Sequence, residues 1–119
     1  MDTIVFVTVA GIDDLPVGSA LPVEVAGSEI ALVRDEAGEV HALEDRCSHE
    51  DVPLADGDVE GCTLECWKHG SQFDLRTGSP LQKPAVLPVA VYPVRVLETT
   101  GEIQVGTTPL TTPDHPFPA

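Results

Sequence analysis

The stretch Ile30-Ala31-Leu32-Val33-Arg34-Asp35-Glu36-Ala37-Gly38-Glu39-Val40-His41-Ala42-Leu43-Glu44 decides the fold class. Two short runs of strand-forming residues, Ile30 to Arg34 and Val40 to Glu44, flank Asp35-Glu36-Ala37-Gly38, whose turn-forming side chains and terminal glycine suit a β-hairpin connection. Toward the amino terminus, Leu21, Val23 and Val25 alternate with Pro22, Glu24 and Ala26, the period-two pattern of a half-buried strand. Asp13 to Gly18 reads as a turn region, and Thr3 to Ala10 is rich in Val, Ile and Thr and predicts a further strand. Toward the carboxyl terminus, Val89 to Glu98 and Glu102 to Val105 flank Thr99-Thr100-Gly101 and predict a second hairpin. No stretch carries a useful helical period. The expected fold is therefore all-β, an antiparallel sandwich or small barrel.

Composition narrows what such a fold can do. A chain of 119 residues fits one domain, and 42% hydrophobic residues exclude wholesale disorder. Six basic residues face twenty acidic ones, a formal net charge of −14 that repels nucleic-acid phosphates. The acidity serves either solubility alone or the steering of an acidic face toward basic patches on partner proteins. No run of about 18 apolar residues predicts a membrane span. The start, Met1-Asp2-Thr3-Ile4-Val5-Phe6, has neither a positive beginning nor a long apolar stretch, so no leader and a cytoplasmic location are expected. The three cysteines, Cys47, Cys62 and Cys66, argue against a disulfide framework and toward metal binding or plain burial.

Residues 46–88 differ from the strands on either side and read as an insertion, within a domain expected over 1–106 and followed by a Pro- and Thr-rich tail over 107–119. The insertion holds Cys47-Ser48-His49, then sixteen residues, then Cys66-Trp67-Lys68-His69. The spacing is C-x-H followed by C-x-x-H. Cysteine offers a soft thiolate and histidine a neutral imidazole, so two short loops would present a four-ligand set to a metal cofactor. A structural zinc module is the rival for such a set. Against it, the C-x-H step is tighter than the usual gap between the first two zinc ligands, and the helix carrying two spaced histidines is missing.

The motif, continued as Cys66-Trp67-Lys68-His69-Gly70-Ser71-Gln72-Phe73-Asp74, resembles the two cluster-binding loops of the Rieske family. The resemblance is strong over the motif segment and looser over the remaining strands. It implies a Rieske-like β sandwich with an inserted two-loop subdomain and one [2Fe–2S] cluster per chain. It also implies that Cys47 and Cys66 hold the buried iron, and that His49 and His69 hold the outer iron near solvent. In such centres two imidazoles replace two thiolate anions on one iron, which raises the potential to about −150 to +300 mV, against about −400 mV for plant-type ferredoxins.

Neighbouring positions refine that picture. High-potential members carry a second cysteine in each loop, joined as a disulfide; the corresponding positions here are Val52 and Lys68. A tyrosine that donates toward a ligand sulfur in those members corresponds to Phe73, while Ser71 keeps a hydroxyl. Gly78-Ser79-Pro80-Leu81-Gln82-Lys83-Pro84 resembles the family's proline-containing third loop, with Pro80 or Pro84 expected over the cluster and Asp74 to Gly78 as a hairpin turn before it. Cys62 reads as a small buried hydrophobe, with a ligand role in a C-x3-C pairing with Cys66 as the alternative; His41 reads as half-exposed scaffold and His115 as a solvated tail residue. Trp67 either packs, shields the cluster or presents an aromatic surface to a partner. Glu50, Asp51, Asp56, Asp58 and Glu60 form an acidic rim after the first loop.

The implied function is that of a soluble, monomeric one-electron carrier, not an enzyme. It would take electrons from a flavin-dependent NAD(P)H reductase and pass them to a terminal Rieske oxygenase acting on an aromatic or other hydrophobic compound. The alternative implied by the same family is the small Rieske-like subunit of an assimilatory nitrite reductase. Donors to sulfur stabilise the more negative reduced cluster, so a phenylalanine at position 73 lowers the potential. Voltammetry is expected to place the midpoint in the lower part of the family's range; a value above about +100 mV, a cut-off taken from that range, contradicts this assignment.

Overall fold

The computed structural model describes residues 5–45, 53–66, 72–81 and 89–110. Within them the chain runs through β1 (Phe6–Gly11), a 3-10 turn at Ile12–Asp14, β2 (Ser19–Val25), β3 (Ser28–Arg34) and β4 (Val40–Glu44). A second 3-10 turn at Leu54–Asp56 leads into β5 (Asp58–Glu60), β6 (Thr63–Glu65) and β7 (Gln72–Asp74). The last strands are β8 (Val91–Tyr92), β9 (Val94–Val96) and β10 (Glu102–Gly106). They form three antiparallel sheets, β1-β10-β9, β2-β3-β4-β8 and β5-β6-β7. No helix among the described residues is long and apolar enough to cross a membrane.

The hairpin predicted over 30–44 forms the centre of the structure, with Arg34 paired to Val40 across the turn. In β3, Ile30, Ala31, Leu32 and Val33 are all fully buried, a continuous run that marks a strand covered on both faces. Alternate residues serve different cores. Ile30 and Leu32, with Ala42 of β4, pack against Ile103 and Val105 of β10. Ala31 and Val33, with Leu43, pack against Leu54, Leu64, Phe73 and Leu75. The four-stranded sheet is thus the middle layer, with the terminal sheet on one side and the small β5-β6-β7 sheet on the other. β2 keeps the alternation read from its sequence, Pro22 and Glu24 being exposed and Val25 buried.

The stretch predicted as one strand from Val89 to Glu98 is instead two strands in different sheets. β8 pairs with β4, while β9 pairs with β10. Pro93 lies between them, where its fixed φ and missing N–H interrupt the ladder. Its carbonyl accepts the Gly106 N–H at 2.8 Å, so the break carries the chain from the middle sheet to the terminal one. The first four residues of the tail expected from 107 are tied down by the Thr107 N–H to Val5 O at 2.9 Å and the Leu110 N–H to Val91 O at 2.7 Å.

Two hydrogen bonds and one close approach seat the small sheet. Asp45, just past β4 and nearly fully buried, accepts the Ala55 N–H through Oδ1 at 2.8 Å. The Gly57 N–H then closes the second 3-10 turn on Leu54 O at 2.9 Å. Gly57 precedes the Asp58–Glu65 pair, and a Cβ there would collide with the Glu65 carbonyl oxygen. Glycine is required at 57 because β6 runs against its backbone. Gly57→Ala is expected to cost about 1–3 kcal/mol through forced separation of β5 and β6. Chemical denaturation of the two proteins checks it, and an unchanged midpoint refutes the close packing.

Candidate iron–sulfur site and its surroundings

The register of the small sheet fixes where the predicted loops begin and end. Asp58 pairs with Glu65, and Glu65 pairs with Gln72, so the chain enters β5, leaves β6 and enters β7 at one end of the sheet. Phe73 bridges to Pro80, and the Leu81 N–H bonds to Gln72 O at 2.7 Å, so the segment from Gly78 to Leu81 runs back along β7 to that same end. Cys66, Gln72 and Leu81, which border 67–71 and the start of 82–88, therefore meet there, with Asp45 and Ala55 joined by their hydrogen bond close by, whereas Val89 meets Gly78 at the other end, its N–H on Gly78 O at 2.9 Å.

Of the predicted ligands, Cys66 is described, while Cys47, His49 and His69 lie outside the described residues. Cys66 directly follows β6 at the shared end and is 1% exposed, among Leu54, Leu64 and Phe73. A thiolate is poorly solvated in such surroundings, and a bound metal compensates its charge. The burial suits a ligand to the inner iron, and the thiolate–imidazole donor set suits a [2Fe–2S] centre with mixed ligands. Phe73 is fully buried beside it and brings no hydroxyl. Trp67, Lys68, Ser71, Val52 and Pro84 also lie outside the described residues, whereas Pro80 is half-buried on the segment beside β7.

A Rieske [2Fe–2S] domain model matches residues 5–93. The chain belongs to the Rieske [2Fe–2S] family. It is 37% identical, over 76% of its own length and 86% of the relative's, to a Ralstonia protein named as the ferredoxin component of naphthalene 1,2-dioxygenase/salicylate 5-hydroxylase systems. The solved ferredoxin of carbazole 1,9a-dioxygenase from Nocardioides aromaticivorans IC177 superposes with a TM-score of 0.78 and 38% identity, covering 84% of this chain and 95% of that one. A Mycobacterium tuberculosis structure described as a putative NADH-dependent nitrite reductase small subunit superposes with a TM-score of 0.81 and 31% identity, covering 90% and 98%. The Rieske assignment made on the motif is correct, as is the all-β antiparallel architecture.

The surface beside Asp45 and Pro53, which border residues 46–52, is acidic. Glu24, Glu29, Glu44 and Asp45, with Tyr92, line a groove beside the border of the first loop, and Asp56 lies on a second hollow sharing Glu24, Glu29 and Asp45. The rim read from sequence is only part of this face. Asp56, Asp58 and Glu60 are exposed as expected, Glu50 and Asp51 lie outside the described residues, and Glu24 and Glu29 come from the β2–β3 hairpin. Strand pairing brings that hairpin beside Asp45, whose N–H bonds to Glu29 O at 3.0 Å. A linear reading had no signal for this proximity.

Sequence reasoning also missed a polar cluster at the other end of the small sheet. His41 is more buried than the half-exposed scaffold residue expected, its side chain 11% exposed, and its Nε2 lies 2.8 Å from Asp35 Oδ2. Asp35 Oδ1 accepts the Ala37 and Glu39 N–H groups at 2.9 and 3.0 Å. Cys62, read as a buried hydrophobe, is only partly buried, and its sulfur lies within 4.8 Å of a carboxylate oxygen of Asp35 and a ring nitrogen of His41. Burial, reinforced by Asp35 and Asp74 and opposed by the Arg76 charge, holds the Cys62 thiol above its ordinary value of 9.0. Such a thiol stays protonated at neutral pH and is a poor nucleophile.

Burial alone would raise the Asp35 pKa. The hydrogen bond from His41, the Glu39 N–H, the charge of His41 and the Ala37 N–H outweigh it and hold the carboxyl below its ordinary value of 3.8. A depressed carboxylate pKa contributes stability that is complete above the unfolded value and is lost as pH falls through the folded one. Asp35→Asn is therefore expected to destabilise the protein at neutral pH and to narrow the wild-type–variant gap as pH falls below about 4, near the unfolded value. Denaturation midpoints against pH check this; a gap that stays constant down to pH ~2, well below the unfolded value, contradicts it.

Proposed function

We propose that the chain is a small Rieske ferredoxin that carries single electrons from a flavin-dependent NAD(P)H reductase to a terminal oxygenase acting on an aromatic or other hydrophobic compound. The observation that carries this is coverage in both directions: three quarters of this chain aligns with most of a protein named as a dioxygenase ferredoxin component, at 37% identity. The match extends over most of that ferredoxin component, which supports reading the chain as a carrier.

In this reading Cys47 and Cys66 hold the inner iron and His49 and His69 the outer iron of one [2Fe–2S] cluster, the loops belonging to a cluster-binding insertion over 46–88. The cluster, when bound, supplies a site that accepts and releases one electron. Residues of the chain do the rest. Leu54, Leu64 and Phe73 keep water from Cys66. Asp45 and Gly57 hold the first loop's borders against β6. Glu24, Glu29 and Asp56 set a negative potential beside that loop, which attracts basic partner surfaces over distances that salt shortens. Weak, transient contacts suit a monomeric cytoplasmic shuttle, because each partner must leave before the next arrives.

The similarity to a nitrite reductase small subunit supports a second reading, a fixed subunit in a larger reductase. The two differ in assembly: a shuttle purifies alone, whereas a subunit co-purifies with its large partner.

Reconstitution with a flavin reductase and an aromatic-ring dioxygenase tests the first reading. The wild-type protein is expected to restore substrate hydroxylation. His49→Ala and His69→Ala are expected to lose it together with the rhombic spin-resonance signal of the reduced protein. Survival of that signal in both variants refutes the ligand assignment. A wild-type protein that is reduced but supports no hydroxylation with the dioxygenase, and that co-purifies with a large reductase subunit, refutes the shuttle.

A further inference from the structure

Asp35 follows β3, His41 lies on β4, and Cys62 sits in the turn between β5 and β6. One carboxylate oxygen, one imidazole nitrogen and the sulfur of these residues all lie within 4.8 Å of one another. We propose that this triad binds one thiophilic divalent cation of the zinc type, at a site distinct from the cluster-binding end of the small sheet.

The donor set is the first argument. Thiolate, imidazole and carboxylate are the protein ligands zinc takes, and three of them leave a fourth position for water. Metal–ligand lengths of about 2.0–2.3 Å in a tetrahedron place donor atoms roughly 3.3–3.6 Å apart. The observed upper limit of 4.8 Å leaves only small side-chain rotations to reach that spacing, and the 2.8 Å between His41 Nε2 and Asp35 Oδ2 opens slightly as the ion enters.

The second argument is preorganisation. Asp35 Oδ1 is held by the Ala37 and Glu39 N–H groups, which leaves Oδ2 facing His41. Hydrogen bonds that fix a ligand's second oxygen are a regular part of metal sites. The turn carrying Cys62 is fastened on both sides, by the Glu36 N–H to Gly61 O at 3.2 Å and the Leu75 N–H to Cys62 O at 3.0 Å. Cys62 and His41 are partly exposed, so an ion can reach the buried Asp35 from solvent. Two further charges face the site, Asp74 favouring a cation and Arg76 opposing it.

Binding replaces the Cys62 S–H with a sulfur–metal bond and releases that proton to solvent. His41 binds as neutral imidazole through Nε2, so the Nε2 proton shared with Asp35 Oδ2 is given up and the ring's one remaining proton resides on Nδ1. Cys62 and Cys66 bound β6 at opposite ends, about 13 Å apart at the strand rise of roughly 3.3 Å per residue. Occupancy of the triad therefore leaves Cys66 untouched, and it ties the β3–β4 turn to the small sheet.

Calorimetric titration of zinc chloride into the purified holoprotein, after brief treatment with a mild chelator, tests the site. The expected result is one zinc per chain, binding weakened at least tenfold in Cys62→Ser and in His41→Gln, and an unchanged visible absorption of the cluster. Thermal melting gives a second readout, a zinc-dependent rise in the wild-type protein that Cys62→Ser lacks. If a variant fails to fold, cobalt(II) added to the wild-type holoprotein decides: a thiolate-to-cobalt charge-transfer band in the difference spectrum supports the site. Absence of that band, zinc affinity unchanged in both variants, or loss of cluster colour in proportion to zinc bound overturns the proposal.

Discussion

A buried carboxylate governs how the small sheet is mounted on the rest of the molecule. Asp45 lies where β4 ends, almost out of contact with water, and its Oδ1 is met by the Ala55 N–H at 2.8 Å. Left without a partner, a buried carboxylate would cost several kcal/mol. The ends of the first loop are therefore held at a fixed separation by a bond whose loss the fold cannot tolerate cheaply. Everything downstream follows from that anchor: the 3-10 turn at Leu54–Asp56, the close passage of Gly57 by Glu65, and the pairing of β5 with β6. Antiparallel pairing then leaves no freedom in where Cys66, Gln72 and Leu81 arrive.

The middle sheet performs the complementary task. Because β3 and β4 are covered on both faces, side chains one residue apart belong to separate cores. Ala31, Val33 and Leu43 form the floor under the small sheet, while Ile30, Leu32 and Ala42 join the terminal sheet. The small sheet, with Cys66 at its end, thus rests directly on the most buried strands. It also explains why the conformational break falls at Pro93, which lets one extended stretch contribute to both outer layers.

Much of this was legible in the sequence, for identifiable reasons. The 30–44 hairpin, the alternation of β2 and the turns at Asp13–Gly18 and Asp74–Gly78 are local, and local propensity and period-two patterning report them. The C-x-H and C-x-x-H spacing carried the family because ligand chemistry is written in short motifs. Two kinds of feature were not legible. The division of 89–98 between sheets depended on which partner each half found, and a proline inside a strand-like run was the one available warning. The Asp35–His41–Cys62 cluster and the contribution of Glu24 and Glu29 to the acidic face arise from contacts between separate strands, and no spacing along the chain encodes them.

The acidic face is not one kind of charge. Glu44 and Asp45 are committed to the fold: Glu44 Oε1 accepts the Ala90 N–H at 3.2 Å, and Asp45 holds Ala55. Glu24, Glu29 and Asp56 are exposed and lie around the same hollow. Crowding carboxylates in this way works against the compact state through mutual repulsion, and packing of the middle sheet does not require acidic side chains at those exposed positions. A charge that the fold does not use serves solubility or the steering of basic partner surfaces. The exposed carboxylates stand next to Asp45 and Pro53, which border residues 46–52, so under the proposed function a basic partner drawn to them arrives beside that segment. The committed pair fixes the border of that segment, and the uncommitted set makes the surface beside it negative.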